Sequence, residues 1–373
     1  MSETSEINST RKNKRKEKRK KSLIFRVIKI ILLILLILIL GFLAAAYGYF
    51  HTKFALMKED DSWSQEVTTE ASGDNALVSG TVEATEEETV EETDSEYAEL
   101  ESREVVHATG EVKEDKEVFN ILLIGSDERT GDYSDYSRGD TCMLLSINTS
   151  DSTPVISLVS FQRDMAVKVL EGTHAGEYDK LTHTFRYGGA DLMMRQVEDA
   201  FKVDIDYYVR INFEVFKTGI DAIGGVDVYM DEAEVTYFHD GHISSDVFVG
   251  TNHLDGKLAL AYSRLREIDS DWNRIQRQRE VVIAAFQQVR GLSLLEINSL
   301  IDTLLPMVKT NLTEWKVAQL LLLVPDLLNA EIQQMSMPVS GTYGSMIDHN
   351  NRWVLSVDFE TNAQILHEFL YGE

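Results

Sequence analysis

From Ile30 to Phe50 the chain runs through twenty-one residues without a charge, IILLILLILILGFLAAAYGYF. As a helix rising about 1.5 Å per residue, such a run spans the roughly 30 Å hydrocarbon core of a bilayer. A cleavable signal peptide would carry a shorter apolar core ending in small residues. Only Ala44-Ala45-Ala46 fits that alternative, and the length favours a span. Ahead of the run stands a basic block, Arg11, Lys12, Lys14, Arg15, Lys16, Lys18, Arg19, Lys20 and Lys21. Basic residues flanking a span stay on the cytoplasmic side, so the sequence predicts a cytoplasmic tail over 1–29, a membrane helix over 30–50 and everything later outside the cell. Topology and attraction to anionic headgroups account for the block without nucleic acid as a partner.

The chain carries 36 basic and 62 acidic residues. Eleven of the basic ones precede the span, so the part expected outside is strongly acidic. Residues 51–117 read as an acidic, disordered linker: TVEATEEETVEETDSEYAELESRE is rich in Glu, Thr and Ser and lacks apolar periodicity. A domain follows over 118–373. Its single cysteine, Cys142, excludes an internal disulfide, so the domain depends on its own core.

Near-continuous apolar runs at Val118 to Gly125, Cys142 to Asn148 and Pro154 to Phe161 have the length of buried strands, and Tyr207 to Phe213 adds another. Helical spacing begins after Gly189 (Leu192, Met193, Val197, Phe201) and recurs at Trp272 to Arg290, Ser293 to Leu305, Leu312 to Val324 and Glu360 to Leu370. The expected fold class is α/β, a mixed central sheet flanked by helices in three layers.

The most informative stretch is YSRLREIDSDWNRIQRQRE, Tyr262 to Glu280, which concentrates arginines in an otherwise acidic domain. Arg264 and Arg266 share a face if their segment is extended, while Asp271, Arg274 and Gln278 fall on one face of the next helix. Asp269, Ser270 or Asp271 suits the N-cap of that helix, whose free N–H groups favour an anion. Arginine grips phosphate oxygens bidentately and keeps its charge. A surface helix with local ion pairs accounts for the same pattern. A second cluster bears on the choice: NILLIGSDER ends a strand at Asp127, and SRGDT restarts one with Arg138 and Asp140. Strand ends hold ligands in α/β folds, and two carboxylates there suit a magnesium ion that bridges substrate phosphates. VSFQRD places Arg163 and Asp164 at a third strand end. His239 and His242 lie in a loop-like stretch with no third metal ligand nearby in sequence.

In order and spacing, NILLIGSDER, SRGDTCMLLSIN, VSFQRD, FRYGGADLM, IGGVDVYM and LDGKLALAYSRLREIDSDWNRIQRQRE closely resemble the extracytoplasmic domain of the LytR-CpsA-Psr family. The resemblance is strong from Val118 to Val282. It implies a membrane-anchored phosphotransferase of a Gram-positive bacterium, moving a glycopolymer of the teichoic acid or capsular polysaccharide class from an undecaprenyl pyrophosphate carrier to peptidoglycan through a phosphodiester. By motif, Arg138, Arg163, Arg264, Arg266, Arg274 and Gln278 would bind the pyrophosphate, Asp127 and Asp140 would hold Mg2+, and Asp271 would orient the arginines or the metal. The resemblance also implies an apolar cavity for the polyprenyl tail, compatible with the apolar helices after Ser293. Two positions depart from the family pattern: Gln162 stands where proline is more usual, which leaves the backbone aiming Arg163 less rigid, and Thr182 stands where asparagine is more usual. A non-catalytic regulator binding lipid-linked wall precursors and a pyrophosphate hydrolase are the alternatives.

Overall fold

A computed structural model describes residues 105–127, 138–150, 153–172, 174–348 and 352–372, with isolated positions between 48 and 59. Nearly all of the expected span, the basic tail and most of the linker lie outside the described residues. Among the described residues no helix is long and apolar enough to cross a membrane. The chain divides into a unit ending at Leu56 and a unit from Met57 onward, and the second carries all that follows.

Its centre is a seven-stranded mixed sheet. In chain order the strands are β1 (Lys58–Glu59), β2 (Val118–Ser126), β3 (Gly139–Asn148), β4 (Val155–Phe161), β7 (Tyr207–Ile211), β10 (Lys309–Thr310) and β11 (Glu331–Met337). The spatial order is β1-β10-β7-β2-β3-β4-β11. β2, β3 and β4 pair antiparallel, while β7 joins β2 and β11 joins β4 in parallel. Three two-stranded ribbons complete the strands: β5 (Ala166–Lys168) with β6 (Tyr178–Lys180), β8 (Val226–Met230) with β9 (Gly250–Leu254), and β12 (Tyr343–Ile347) with β13 (Trp353–Val357).

Successive side chains of a strand alternate between faces, and β2 shows how both become buried. Leu122 and Ile124 face a core shared with helices α1 (Leu181–Phe201) and α8 (Phe359–Tyr371). Phe119, Ile121 and Leu123 face the other side, against Leu312, Leu320 and Leu327 around helix α7 (Glu314–Leu327). Each fully buried aliphatic side chain contributes about 1.5–3 kcal/mol. The central sheet is therefore covered on both faces, and this is why β2 and β4 read as continuous apolar runs. Packed chain also precedes the expected start at Val118: Val105 and Ala108 belong to the same core as Leu122.

A second apolar cluster joins the β8–β9 ribbon to four helices, α2 (Phe213–Ala222), α3 (Glu232–Asp240), α4 (Gly256–Ser263) and α5 (Asp271–Arg290). Helix α6 (Leu294–Leu304) follows α5. Gly256 makes the α2–α4 approach possible. A Cβ there would lie 2.2 Å from the Lys217 carbonyl oxygen, and the Gly256 N–H donates to Asp221 Oδ1 at 2.7 Å. Helix α1 begins eight residues before Gly189 and kinks there, where φ is 66°. Only glycine takes that conformation without strain.

Candidate active site

The site grows from the ends of β2, β3 and β4. Beyond β2, the Asp127 N–H donates to the Arg138 carbonyl at 3.2 Å, and the Arg138 N–H donates to Asp127 Oδ1 at 2.8 Å. This reciprocal pair brings Asp127 beside the start of β3 and sets Asp140 two residues further on. At the end of β4, Arg163 Nη1 donates to Asp140 Oδ1 at 3.1 Å. The expected looseness of the Arg163 backbone is offset here. The buried Gln162 side chain accepts from the Arg163 N–H at 3.0 Å, and the Arg163 carbonyl accepts from Thr182 N at 3.1 Å. Thr182 also donates its hydroxyl to the Gly139 carbonyl at 3.1 Å, tying the start of α1 to β3.

Helix α5 closes the cluster from above. Ser270 is its N-cap, accepting from Asn273 N at 3.4 Å. Asp271 in the first turn reaches Arg274 Nη2 at 2.9 Å and lies 3.5 Å from Arg163 Nε. Arg274 extends to within 3.5 Å of the Asp140 carbonyl. Two guanidiniums and two carboxylates thus interlock across residues far apart in the chain. Arg163 Nε, Arg274 Nε and Asp271 Oδ1 are buried and outside hydrogen-bond geometry with any partner. Their ionic contacts are close in distance but poorly aligned.

Charge state follows from these surroundings. Burial alone would lower the Arg163 pKa, but Asp271, Asp164 and Asp140 outweigh it and raise it. For Arg274 burial wins, followed by the fields of Arg163 and Arg266 against that of Asp271, and the pKa is pushed down to about 10. Arg266 is held low by partial burial and then by repulsion from Arg163. Crowded cations of this kind are stabilised by an arriving anion.

Beside the cluster opens a cavity of about 920 Å³. Asp127, Arg138, Asp140, Arg264, Arg266, Arg274 and Gln278 line its polar end, and Leu123, Ile124, Met143, Val209, Phe216 and Val282 its apolar wall. That wall comes from β2, β3, β7, α2 and α5. Among the described residues none of α6 or α7, the helices after Ser293 expected at the cavity, lines it; Leu300 and Leu304 of α6 pack toward the second apolar cluster and α2, and Leu320 and Leu327 of α7 pack against the sheet. Arg264 and Arg266 do face the same space, but not as an extended pair: Arg264 ends α4, its guanidinium 4.5 Å over the Phe213 ring, and Leu265 between them is buried. Gln278 donates to the Ser263 carbonyl at 3.4 Å. Arg163 and Asp271 join through ion pairs rather than by lining the cavity.

Several contributors escape sequence reasoning. Arg277 lies in the conspicuous arginine stretch but points away from the cavity, on a flank of α5 next to Arg274. It is buried against Glu234 at 2.7 Å, donates to the Leu265 carbonyl at 3.1 Å and pairs with Asp269. It clamps the segment that carries Arg264 and Arg266. Glu267 lines the cavity, and Lys180 pairs with Asp164 at 2.9 Å. His239 hydrogen-bonds the Val247 carbonyl at 3.0 Å. No group of three or more His, Cys, Asp or Glu able to hold a metal occurs among the described residues.

An arginine-rich, carboxylate-bearing polar end on an apolar cavity at the strand ends of an α/β sheet has the chemistry to hold an amphiphilic anion. Residues 78–369 match the LytR_cpsA_psr family, and the chain belongs to it. It is 34% identical over 208 residues to the polyisoprenyl-teichoic acid–peptidoglycan teichoic acid transferase TagU of Bacillus anthracis, covering 55% of this chain and 64% of the relative. It is likewise 34% identical over 203 residues to TagT of Bacillus subtilis strain 168, which bears the same transferase name, covering 53% and 61%. The match spans a little under two thirds of each relative. Among solved structures, TagT bound to LIIa-WTA superposes with a TM-score of 0.56 at 26% identity, over 74% of this chain and 98% of that one.

Proposed function

We propose that this protein is a membrane-anchored phosphotransferase, acting outside the cell, that moves a teichoic acid or related glycopolymer from a polyprenyl pyrophosphate carrier to peptidoglycan. The observation that carries the reading is the cavity itself: an apolar wall suited to an isoprenoid chain, ending at four arginines, Arg138, Arg264, Arg266 and Arg274. A pyrophosphate headgroup joined to a lipid has that same division between charged and apolar parts.

In this reading the arginines bind the pyrophosphate, Asp271 orients Arg163 and Arg274, and Gln278 adds a neutral contact. A sugar hydroxyl of the acceptor attacks the phosphorus next to the glycopolymer. The new P–O bond forms as the bridging P–O bond breaks, and polyprenyl monophosphate departs with its charge met by the arginines. The hydroxyl proton is released as the bond forms; Asp164, beside Arg163 and paired with Lys180, is one candidate to receive it, and a loose transition state demands little from a base.

Asp127 and Asp140 fit a magnesium ion. Both line the cavity: Asp127 Oδ1 accepts from the Arg138 backbone N–H with Oδ2 3.9 Å from Arg138 Nε, and Asp140 Oδ1 accepts from Arg163 Nη1. Magnesium is commonly held by one or two carboxylates with substrate phosphates and water. When bound, it would neutralise developing charge on the phosphate oxygens.

The test supplies the full chain in detergent micelles with magnesium, a lipid pyrophosphate oligosaccharide and a peptidoglycan oligomer, and seeks a phosphodiester-joined product by mass spectrometry. Joined product with released lipid monophosphate is expected. Released lipid monophosphate without joined product would identify a hydrolase, and release of neither would leave only a binding protein.

A further inference from the structure

Beside the interlocked arginines and carboxylates, none of Arg163, Asp164, Lys180, Trp272 and Tyr343 lines the cavity. Away from the cavity lining, Trp272 follows Asp271 in the first turn of α5. Its ring lies against that of Tyr343, with centroids 5.1 Å apart and planes inclined by only 31°. Both residues are half-buried.

The aromatic pair is fixed relative to the cluster by backbone. Tyr343 begins β12, which pairs with β13 in the register Tyr343 to Val357 and Ser345 to Leu355. The Leu355 N–H donates to the Asp164 carbonyl at 2.9 Å. Asp164 and Lys180 pair at 2.9 Å with side-chain exposures of 26% and 21%. A half-buried aromatic pair is thus tied through the β12–β13 ladder to Asp164, whose partly exposed carboxylate holds the partly exposed Lys180 ammonium, and Trp272 is next in sequence to Asp271 of the ion-pair cluster.

The geometry points to a saccharide subsite on this aromatic shelf, formed by Trp272 and Tyr343 and completed by Asp164 and Lys180. A pyranose ring has an apolar face of C–H groups and a rim of hydroxyls. The first packs on aromatic surface and the second both donates and accepts hydrogen bonds. The shelf takes the amino sugar that presents its hydroxyl to the phosphorus. The inference rests on the proposed transfer in naming the glycan as acceptor; the carbohydrate of the donor shares the same chemistry.

The test compares the wild-type full chain in micelles with Trp272→Ala, Tyr343→Ala and Trp272→Phe. With a peptidoglycan tetrasaccharide as acceptor, each alanine variant should raise the acceptor KM about tenfold, with the loss in KM rather than kcat, whereas Trp272→Phe should hold it within about threefold. A rise in donor KM instead would assign the shelf to the donor's carbohydrate. Unchanged values of both in folded alanine variants would overturn the subsite. A second readout needs no turnover: tetrasaccharide added without donor should change tryptophan fluorescence saturably in wild type and not in Trp272→Phe. If the wild type forms no joined product, the transfer reading fails, yet this saturable change would still support the shelf. Its absence would remove it.

Discussion

Asp271 Oδ1 lies 3.5 Å from Arg163 Nε, joining the first turn of α5 to the turn after β4. The same oxygen lies 2.9 Å from Arg274 Nη2. One carboxylate therefore balances two guanidiniums that burial disfavours as charges. Asp271→Asn keeps the shape and removes the charge. It should weaken donor binding at least tenfold and destabilise the domain by about 2 kcal/mol, below the range for a fully buried pair because Asp271 retains some solvent contact. Donor titration and chemical denaturation check both effects, and unchanged donor affinity would remove Asp271 from its orienting role.

Arg277 tests the clamp on the arginine-bearing segment. Its side chain is buried between Glu234 and Asp269, so Arg277→Met strands two carboxylates. We expect a loss of about 3 kcal/mol with a clear fall in melting temperature. Arg277→Lys should recover little, because an ammonium cannot reproduce the forked contact to Glu234, Asp269 and the Leu265 carbonyl. Full recovery by lysine would show that charge alone holds the segment.

The metal assignment is checked by chelation. Turnover should fall when divalent cations are removed and return with magnesium. Asp140→Asn should raise the magnesium concentration for half-maximal rate by about tenfold. Undiminished turnover in chelator would exclude the ion from the reaction.

Arg266→Ala and Asp140→Ala should each abolish turnover and preserve the circular dichroism spectrum, since both residues line the cavity rather than the core. Normal activity in either variant would withdraw that residue from the site.

A pH effect on stability follows from Glu198 in α1. Burial lifts its carboxyl from 4.5 to about 7, against the Ile205 N–H, which favours the charged form, and with help from Asp204. Because the folded pKa is raised, the folded state retains a proton that the unfolded state has lost between these two values. Stability therefore falls as pH rises through that window and levels off above it. Glu198→Gln keeps an acceptor for Ile205 and carries no charge. It should stabilise the protein at pH 8 by about 1 kcal/mol, discounted for partial exposure, and by much less at pH 5. An equal gain at both pH values in denaturant titrations would rule out the ionisation.

Much of the architecture was legible because it is local. The strands at Val118, Cys142 and Pro154 declare themselves as apolar runs, and α5 begins at Asp271, one residue before the periodicity predicts. β11 was hidden: EIQQMSM pairs at the sheet edge and is less buried than β4, so it lacks a continuous apolar signal. The two ribbons β8–β9 and β12–β13 are five residues per strand, too short for alternation to stand out.

For the site, the residue types and their gathering at strand ends were readable from motifs, and the contacts that join them were not. Sequence alone determined which arginines and aspartates exist, that an uncharged segment long enough to span a bilayer precedes the domain, and which stretches must be buried. Only the tertiary structure decided that Arg274 and Gln278 face the cavity while Arg277, one turn away from Arg274, turns to Glu234. Only it brought Arg163 to Asp271 and Arg274 to the Asp140 carbonyl, a contact across 134 residues. Helical and strand periods are set by backbone geometry within a few residues, whereas the meeting of strand ends and helix starts is set by how whole elements pack. That packing turns scattered charges into one site.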